Sequence, residues 1–266
     1  MPKVPKKVTE RLSKQLTVFQ RVLSKAKDRD VNESDTVTIV TDMLADLFGF
    51  DKYQEVTSEQ EIRGTYCDLA VKLDGTVKYL IEVKAIGLTL KENHMKQAID
   101  YGANKGIPWV VLTNGINWEI YRIKFERPIN AEHTCSINML EVASRKQGDV
   151  ERLFLLCKEG LAKAAIEEFH AHSQNVNRFI VAALIQSDDV LNVLRREIRR
   201  LAPDTKVTTE EIEVLLPDVL KRDVIEGETA KSAQRRVHKA STKKLRNRRA
   251  KQRSVDEPNG SSDSED

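Results

Sequence analysis

The chain has 266 residues, 32% of them charged and 40% hydrophobic, with a formal net charge of +3. That length and balance suit one main folded domain with an appendage, and no apolar run approaches the roughly 18 residues that a membrane span needs. The three cysteines, Cys67, Cys135 and Cys157, are far apart and odd in number and imply neither a disulfide framework nor a CxxC zinc site. With a basic N-terminus that lacks a signal-like apolar stretch, they lead to the expectation of a reducing cytoplasm.

The small net charge hides a segregation. Residues 231–253 hold eleven Lys and Arg and no acid, residues 254–266 hold five acids and no base, and residues 1–230 keep 33 basic against 36 acidic side chains. Attraction to nucleic acid must therefore come from local patches or from the tail.

In chain order, Val8, Leu12, Leu16, Phe19, Leu23 and Ala26 form a helical stripe among Lys and Arg over residues 7–27. Asn32 or Ser34 can cap a second helix that carries Val37, Val40, Met43, Leu44 and Leu47 and stops at Gly49. Strands are expected over about 54–63, 67–73 and 77–85, then a helix over about 90–104 that Gly106 and Pro108 break. Residues 109–113 and 116–123 flank Asn114-Gly115, the strongest short hairpin signal in the chain. Beyond about 140 the pattern is helical, over 149–170, 175–187, 188–201 and 208–225 with Pro217 interrupting the last. A frayed basic helix from 231 and a disordered acidic end are expected to follow. The organisation so read is 1–29, a basic amphipathic helix; 30–140, an α/β domain; 141–230, a helical region; and 231–266, a basic and then acidic tail.

The hairpin between the second and third strands can close in two ways. A two-residue Asp74-Gly75 turn would pair Leu73 with Thr76 and hence Asp68 with Ile81, with Glu82 and Lys84 on the opposite face from Asp68. A three-residue loop, Asp74 to Thr76, pairs Val71 with Tyr79 and Leu69 with Ile81. One face is then apolar, and Asp68, Lys72, Lys78, Glu82 and Lys84 gather on the other. Segregation of polar from apolar residues favours the second register.

In that register Asp68 lies beside Glu82, with Lys84 one pleat on. Two close carboxylates repel each other, and Mg²⁺, which takes one or two protein carboxylates and keeps water, relieves the repulsion. Lys84 could position or deprotonate an attacking water and neutralise charge on a phosphorane. A solvated Asp and an exposed Glu-Lys pair would be the bland outcome for such a pattern. Here YLIEVKA brackets Glu82 and Lys84 with apolar residues, where solvated charge is less expected. His94, Gln97 and Tyr101 share one face of the next helix, while Met95, Ala98 and Gly102 offer a small-residue face for packing on the sheet.

Asp68, Glu82-Val83-Lys84 and Gln97-x3-Tyr101 together resemble the PD-(D/E)xK nuclease superfamily. The run from NESDT at 32–36 through YLIEVKAIG to KQAIDYGANKGIPWVVLTNGINWEIYRI resembles more closely the N-terminal nuclease domain of type I restriction-enzyme restriction subunits, over roughly residues 30–125. The resemblance implies an α/β restriction-endonuclease-like αβββαβ core with a mixed sheet, followed here by a helical C-terminal region. It implies Asp68 and Glu82 as Mg²⁺ ligands (Mn²⁺ as the alternative ion) with the Val83 carbonyl, Lys84 as catalytic lysine, and Gln97 and Tyr101 in support. Glu33 matches an acidic position that some members direct at the metal, and Asp35 competes for it. Cys67 stands where the signature proline precedes the aspartate.

Restriction subunits also carry an ATP-driven motor, but no GxxxxGK(S/T) loop occurs in these residues, so no ATP site is expected. His170-Ala171-His172 reads as a surface helix end, Cys157 as core, and Trp109 and Trp118 as packing residues. The expectation is Mg²⁺-dependent DNA phosphodiester hydrolysis in restriction or phage defence, with DNA and other defence subunits as partners and no membrane. The alternatives are a nucleic-acid-binding module that keeps the fold without turnover, or a scaffold assembled through 140–230.

Overall fold

The computed structural model describes residues 3–58 and 67–255, with side chains described through Lys243. The remainder of the expected 54–63 strand beyond Ser58, and the acidic end from 256, lie outside the described residues. The chain divides into two compact units, one ending at Ser173 and one beginning at Gln174.

In the first unit, α1 (Lys6–Asp28) buries the whole predicted stripe, Val8 to Ala26. α2 (Glu33–Asp42) is capped by Asn32, whose side chain accepts from the Asp35 N–H at 2.9 Å. The helix continues as a π turn, Met43–Leu47, and ends at Gly49, where φ is +86°. Glycine is required there twice over, by the left-handed backbone and because a Cβ would lie 2.6 Å from the Arg11 guanidinium. Arg11 explains that closeness. Its Nε donates to Leu47 O at 3.1 Å and its Nη2 to Phe48 O at 3.2 Å, and both terminal nitrogens meet the Glu159 carboxylate at 2.7 Å. The guanidinium thus satisfies carbonyls left over at a helix C-terminus, where the backbone dipole favours a cation.

A six-stranded sheet follows in the order β1 (Val56–Ser58), β2 (Leu69–Leu73), β3 (Thr76–Val83), β4 (Trp109–Thr113), β5 (Asn117–Lys124), β6 (Asn130–Asn138). Neighbours are antiparallel except β3 and β4, which are parallel and joined by a 3₁₀ turn, Glu92–Met95, and α3 (Lys96–Lys105). β6 has no counterpart in the sequence reading, because its Asn-Ala-Glu-His-Thr-Cys-Ser-Ile-Asn lacks clean alternation; the strand exists because β5 offers it an edge.

The β2–β3 hairpin corrects the expected turn but keeps the expected pairing at its far end. Its turn has two residues, Asp74 and Gly75, with φ of 52° and 73° and Leu73 paired to Thr76. Both left-handed residues match the turn whose twist suits a hairpin. A bulge between Val71 and Lys72 then inserts Lys78 as an extra residue, and Val71 pairs with Tyr79 and Leu69 with Ile81. The two-residue turn and the favoured register, exclusive in a regular ladder, coexist because the bulge shifts the pairing by one.

Both sheet faces are covered, and the face on which Asp68, Glu82 and Lys84 were expected also carries apolar residues that pack against the next helix. Leu69, Val71, Ile81, Val83, Val111, Trp118 and Ile120 join α1, α2 and α4 (Gln147–Phe154) in the larger core. Ala70, Leu80, Val110 and Leu112 pack with Met95, Ala98 and Tyr101 in the smaller one. Gly102 lets α3 approach, since a Cβ there would meet Ile123 Cδ1 at 2.5 Å and Ile107 O at 3.1 Å.

The β4–β5 turn is longer than the Asn-Gly signal suggests, because the ladder ends at Thr113 and Trp118 and residues 114–117 make the connection. Asn114, 3% exposed, holds it: its Oδ1 accepts from Ile116 and Asn117 N–H at 3.1 and 2.8 Å, and its Nδ2 donates to Ile86 O and Leu88 O at 3.1 and 3.0 Å. The expected 149–170 helix is three pieces, α4, α5 (Lys158–Ala162) and α6 (Ala165–Asn175), broken at Cys157 and at Ala164, where φ is 52°. His170 is not at the surface. It is buried, 3.2 Å from Thr134 Oγ1 and edge-on to Trp109, and burial followed by the Arg122 charge lowers its pKa; His172 is exposed.

The second unit contains α7 (Arg178–Ile185), α8 (Asp188–Leu201), α9 (Thr209–Val219), α10 (Arg222–Ile225) and α11 (Gly227–Val255). Leu191, Ile212 and Leu216 form its small core. Pro217 lies inside α9, two residues before its end, rather than breaking it. No helix of the described residues is long and apolar enough to cross a membrane.

Two stability predictions follow from these contacts. Arg11→Ala should cost about 1–3 kcal/mol in chemical denaturation, from the lost ion pair and the stranded Leu47 carbonyl (Phe48 O keeps the Lys158 N–H at 3.0 Å), and Arg11→Lys should restore only part of it. Burial pushes the Glu159 carboxyl up and the Arg11 guanidinium outweighs it, so its folded pKa lies below the ordinary value. This contribution is therefore present above the ordinary carboxylate range and fades as pH falls through the lowered value, and Arg11→Ala should flatten that acid limb. Asn114→Ala should cost about 2–4 kcal/mol, and Asn114→Asp should not rescue it because the two carbonyls still lose their donor.

Candidate active site

Asp68 directly precedes β2, Glu82 is the penultimate residue of β3, and Lys84 directly follows it. Alternation along β3 sends Ile81 and Val83 into the larger core and Leu80 toward α3, so Glu82 and Lys84 take the α3 side. The pair Leu69–Ile81, continued by one residue, sets Asp68 against Glu82. Asp68 Oδ2 accepts the Val83 N–H at 2.6 Å, which fixes the aspartate to the strand that carries the glutamate. Lys84 Nζ lies 2.8 Å from Glu82 Oε1 and 3.4 Å from Glu33 Oε1, and its backbone N–H donates to Thr113 O at 2.8 Å.

Glu82 is 7% exposed. Burial pushes its carboxyl up to about 7; the Lys84 hydrogen bond opposes this, and the Asp68 and Glu33 charges add to it. Burial lowers the Lys84 pKa, but Glu82, Asp68 and Glu33 outweigh it and the net direction is up. Lys84 is therefore held as an ammonium, which suits charge neutralisation and water positioning rather than proton abstraction. Burial, then Glu82 and Asp68, push the Cys67 thiol up to about 12, so it is an unreactive group whose Sγ approaches Ile81 O at 3.2 Å.

The remaining predicted residues divide. Glu33, in the first turn of α2, reaches Lys84, whereas Asp35 offers its backbone N–H to the Asn32 cap and its side chain is exposed. Tyr101 is buried in the α3-side core with Cys67, Ala70 and Leu80, and Gln97, one turn earlier, is exposed. The sequence reading missed Thr113 and Asn114 as supports of the Lys84 segment. The Asn-Gly pair marked a turn, and only the fold brings that turn against residues 84–88.

The donor chemistry can be set against the implied ion. Among the described residues no group of three or more His, Cys, Asp and Glu is gathered as a metal cage. Two adjacent carboxylates, one of them disfavoured as an anion by its surroundings, nevertheless fit Mg²⁺, which uses few protein ligands, all oxygen.

Among known proteins, no curated sequence and no solved structure matches the chain. Residues 42–134 match the family model described as type I restriction enzyme R protein N terminus, a span that contains Asp68, Glu82, Lys84, Gln97 and Tyr101 and excludes Glu33. For those residues the match supports the N-terminal nuclease domain of type I restriction enzymes.

Proposed function

We propose that the chain hydrolyses DNA phosphodiester bonds as a divalent-metal-dependent, endonuclease-type domain in restriction or phage defence. The observation that carries this reading is Glu82, a nearly buried carboxyl set against Asp68 and bonded to the Lys84 ammonium inside the span that matches the family. Asp68 and Glu82, with the Val83 carbonyl, would hold Mg²⁺ or Mn²⁺. When bound, such an ion supplies Lewis acidity at a phosphoryl oxygen. Asp68 is oriented for that task by the Val83 N–H, and Glu82 by Lys84. Lys84 itself offers a fixed positive charge where negative charge grows on the phosphorane and can orient the attacking water. Glu33 holds Lys84 from the side of α2, Tyr101 supports the strand ends from beneath, and Gln97 stands at the exposed end of the same helix face.

Asp68→Ala, Glu82→Ala and Lys84→Ala should each lower cleavage of supercoiled and linear DNA by about 10²–10⁴-fold while leaving circular dichroism unchanged, and EDTA should abolish it. Cutting that persists in Glu82→Ala would sink the assignment. DNA binding without product under any metal condition would favour a module that has kept the fold and lost turnover.

A second measurement separates metal binding from catalysis. In EDTA, Asp68→Asn should be at least as stable as the parent, because it removes the charge that opposes Glu82 while its amide oxygen can still accept from Val83. Added Mg²⁺ should raise the Tm of the parent and not of the variant. An equal rise in both would place the ion elsewhere.

A further inference from the structure

Nothing in the reaction assigns a task to α11, the 29-residue helix that ends the described chain. Its packed and charged sides are opposed. Ala230 and Ala233 are 1% and 5% exposed, and Gln234 reaches Gln186 Oε1 at 3.4 Å, so one side rests within the second unit. Lys231, Arg235, Lys239 and Lys243 recur every fourth residue and are all exposed. At about 100° per residue they sweep an arc of about 120° whose centre lies opposite the two buried alanines. Arg236 is set apart from this row: it donates to Gln174 O at 3.0 Å and Asn175 Oδ1 at 2.8 Å and fastens the helix to its own unit. Beyond Lys243 the sequence adds six more Lys and Arg by residue 253 without one acid.

Three polyanions could meet such a face: a nucleic acid, an anionic membrane and an acidic protein. A membrane-surface helix needs a free apolar side opposite its cations, and here the side opposite is already packed. The exposed row carries no large apolar or aromatic anchor of the kind that centres protein interfaces. A row of cations alone is what a duplex backbone asks for, at one negative charge per about 1.7 Å of axis.

We infer that the exposed row of α11 is a sequence-independent contact for the phosphate backbone of duplex DNA, raising the local concentration of substrate for the site in the same chain. The choice of DNA rests on the hydrolysis reading above. Release of condensed counterions drives the contact, so its signature is the dependence of affinity on salt.

The test uses the full chain in EDTA and a short labelled duplex, with anisotropy read between about 50 and 200 mM salt. Replacing Lys231, Arg235, Lys239 and Lys243 together by Gln should weaken binding at least about tenfold at the low end. The slope of log affinity against log salt should become shallower by about 2–4, equally for duplexes of unrelated sequence. Lys→Arg at the three lysines should keep both, which separates charge from folding. An unchanged slope in the Gln variant overturns the inference, as does tighter charge-dependent binding to phosphatidylserine vesicles or to poly-glutamate than to duplex. Glu82→Ala should bind with the parental slope in EDTA and, when Mg²⁺ is added, should not cut. If it cuts, the hydrolysis reading fails while the salt slope still decides the role of α11.

Discussion

A glutamate that is 7% exposed, at the end of a strand and beside an aspartate, is a costly thing to keep. One neighbour makes it tolerable. Lys84 supplies a cation at 2.8 Å and is itself held by the Glu33 carboxylate from another helix, while Asp68, turned onto the Val83 N–H, adds to the strain. The resulting group folds under tension, because burial and a second carboxylate both push the glutamate toward its neutral form, and on the function proposed above a divalent cation would relieve that tension. Stability sacrificed in this way is characteristic of sites kept for chemistry.

That arrangement depends on one irregularity of the sheet. Asp74 and Gly75 impose a two-residue turn through their left-handed backbone, and an unbroken ladder from that turn would send Asp68 and Glu82 to opposite faces. The bulge at Lys78 absorbs the extra residue. Apolar burial provides the drive, since Val71, Tyr79, Leu69 and Ile81 reach the larger core only when the register has shifted. The site is therefore a by-product of packing on the opposite face of the same strands.

The N-terminal helix has an equally structural part. Its basic composition suggests a surface element, yet Arg11 is drawn inward to satisfy the carbonyls of Leu47 and Phe48 and the carboxylate of Glu159. The helix then closes the core that lies beneath β2 and β3. Among the described side chains, the cations that face outward on α11 have no comparable set of internal acceptors, Lys231 meeting the exposed Glu228 carboxylate at 3.4 Å, and the difference between the two helices is one of burial rather than of composition.

Much of this was legible in the residues themselves. The stripe from Val8 to Ala26, a cap at Asn32 or Ser34 (Asn32 in the fold), the stop at Gly49 and the pairing of Leu69 with Ile81 all follow from local rules, because periodicity, capping and alternation act over a few neighbouring positions. The group of Asp68, Glu82 and Lys84 could be placed on one face for the same reason. What lay beyond the sequence was everything decided by contact between distant segments. The β-bulge, the strand β6, the burial of His170 against Trp109, the choice of Glu33 over Asp35 at the lysine, and the hold of Asn114 on residues 86 and 88 all rest on tertiary partners. A residue alone specifies what its side chain can bond, and only the packed chain determines which partner is within reach.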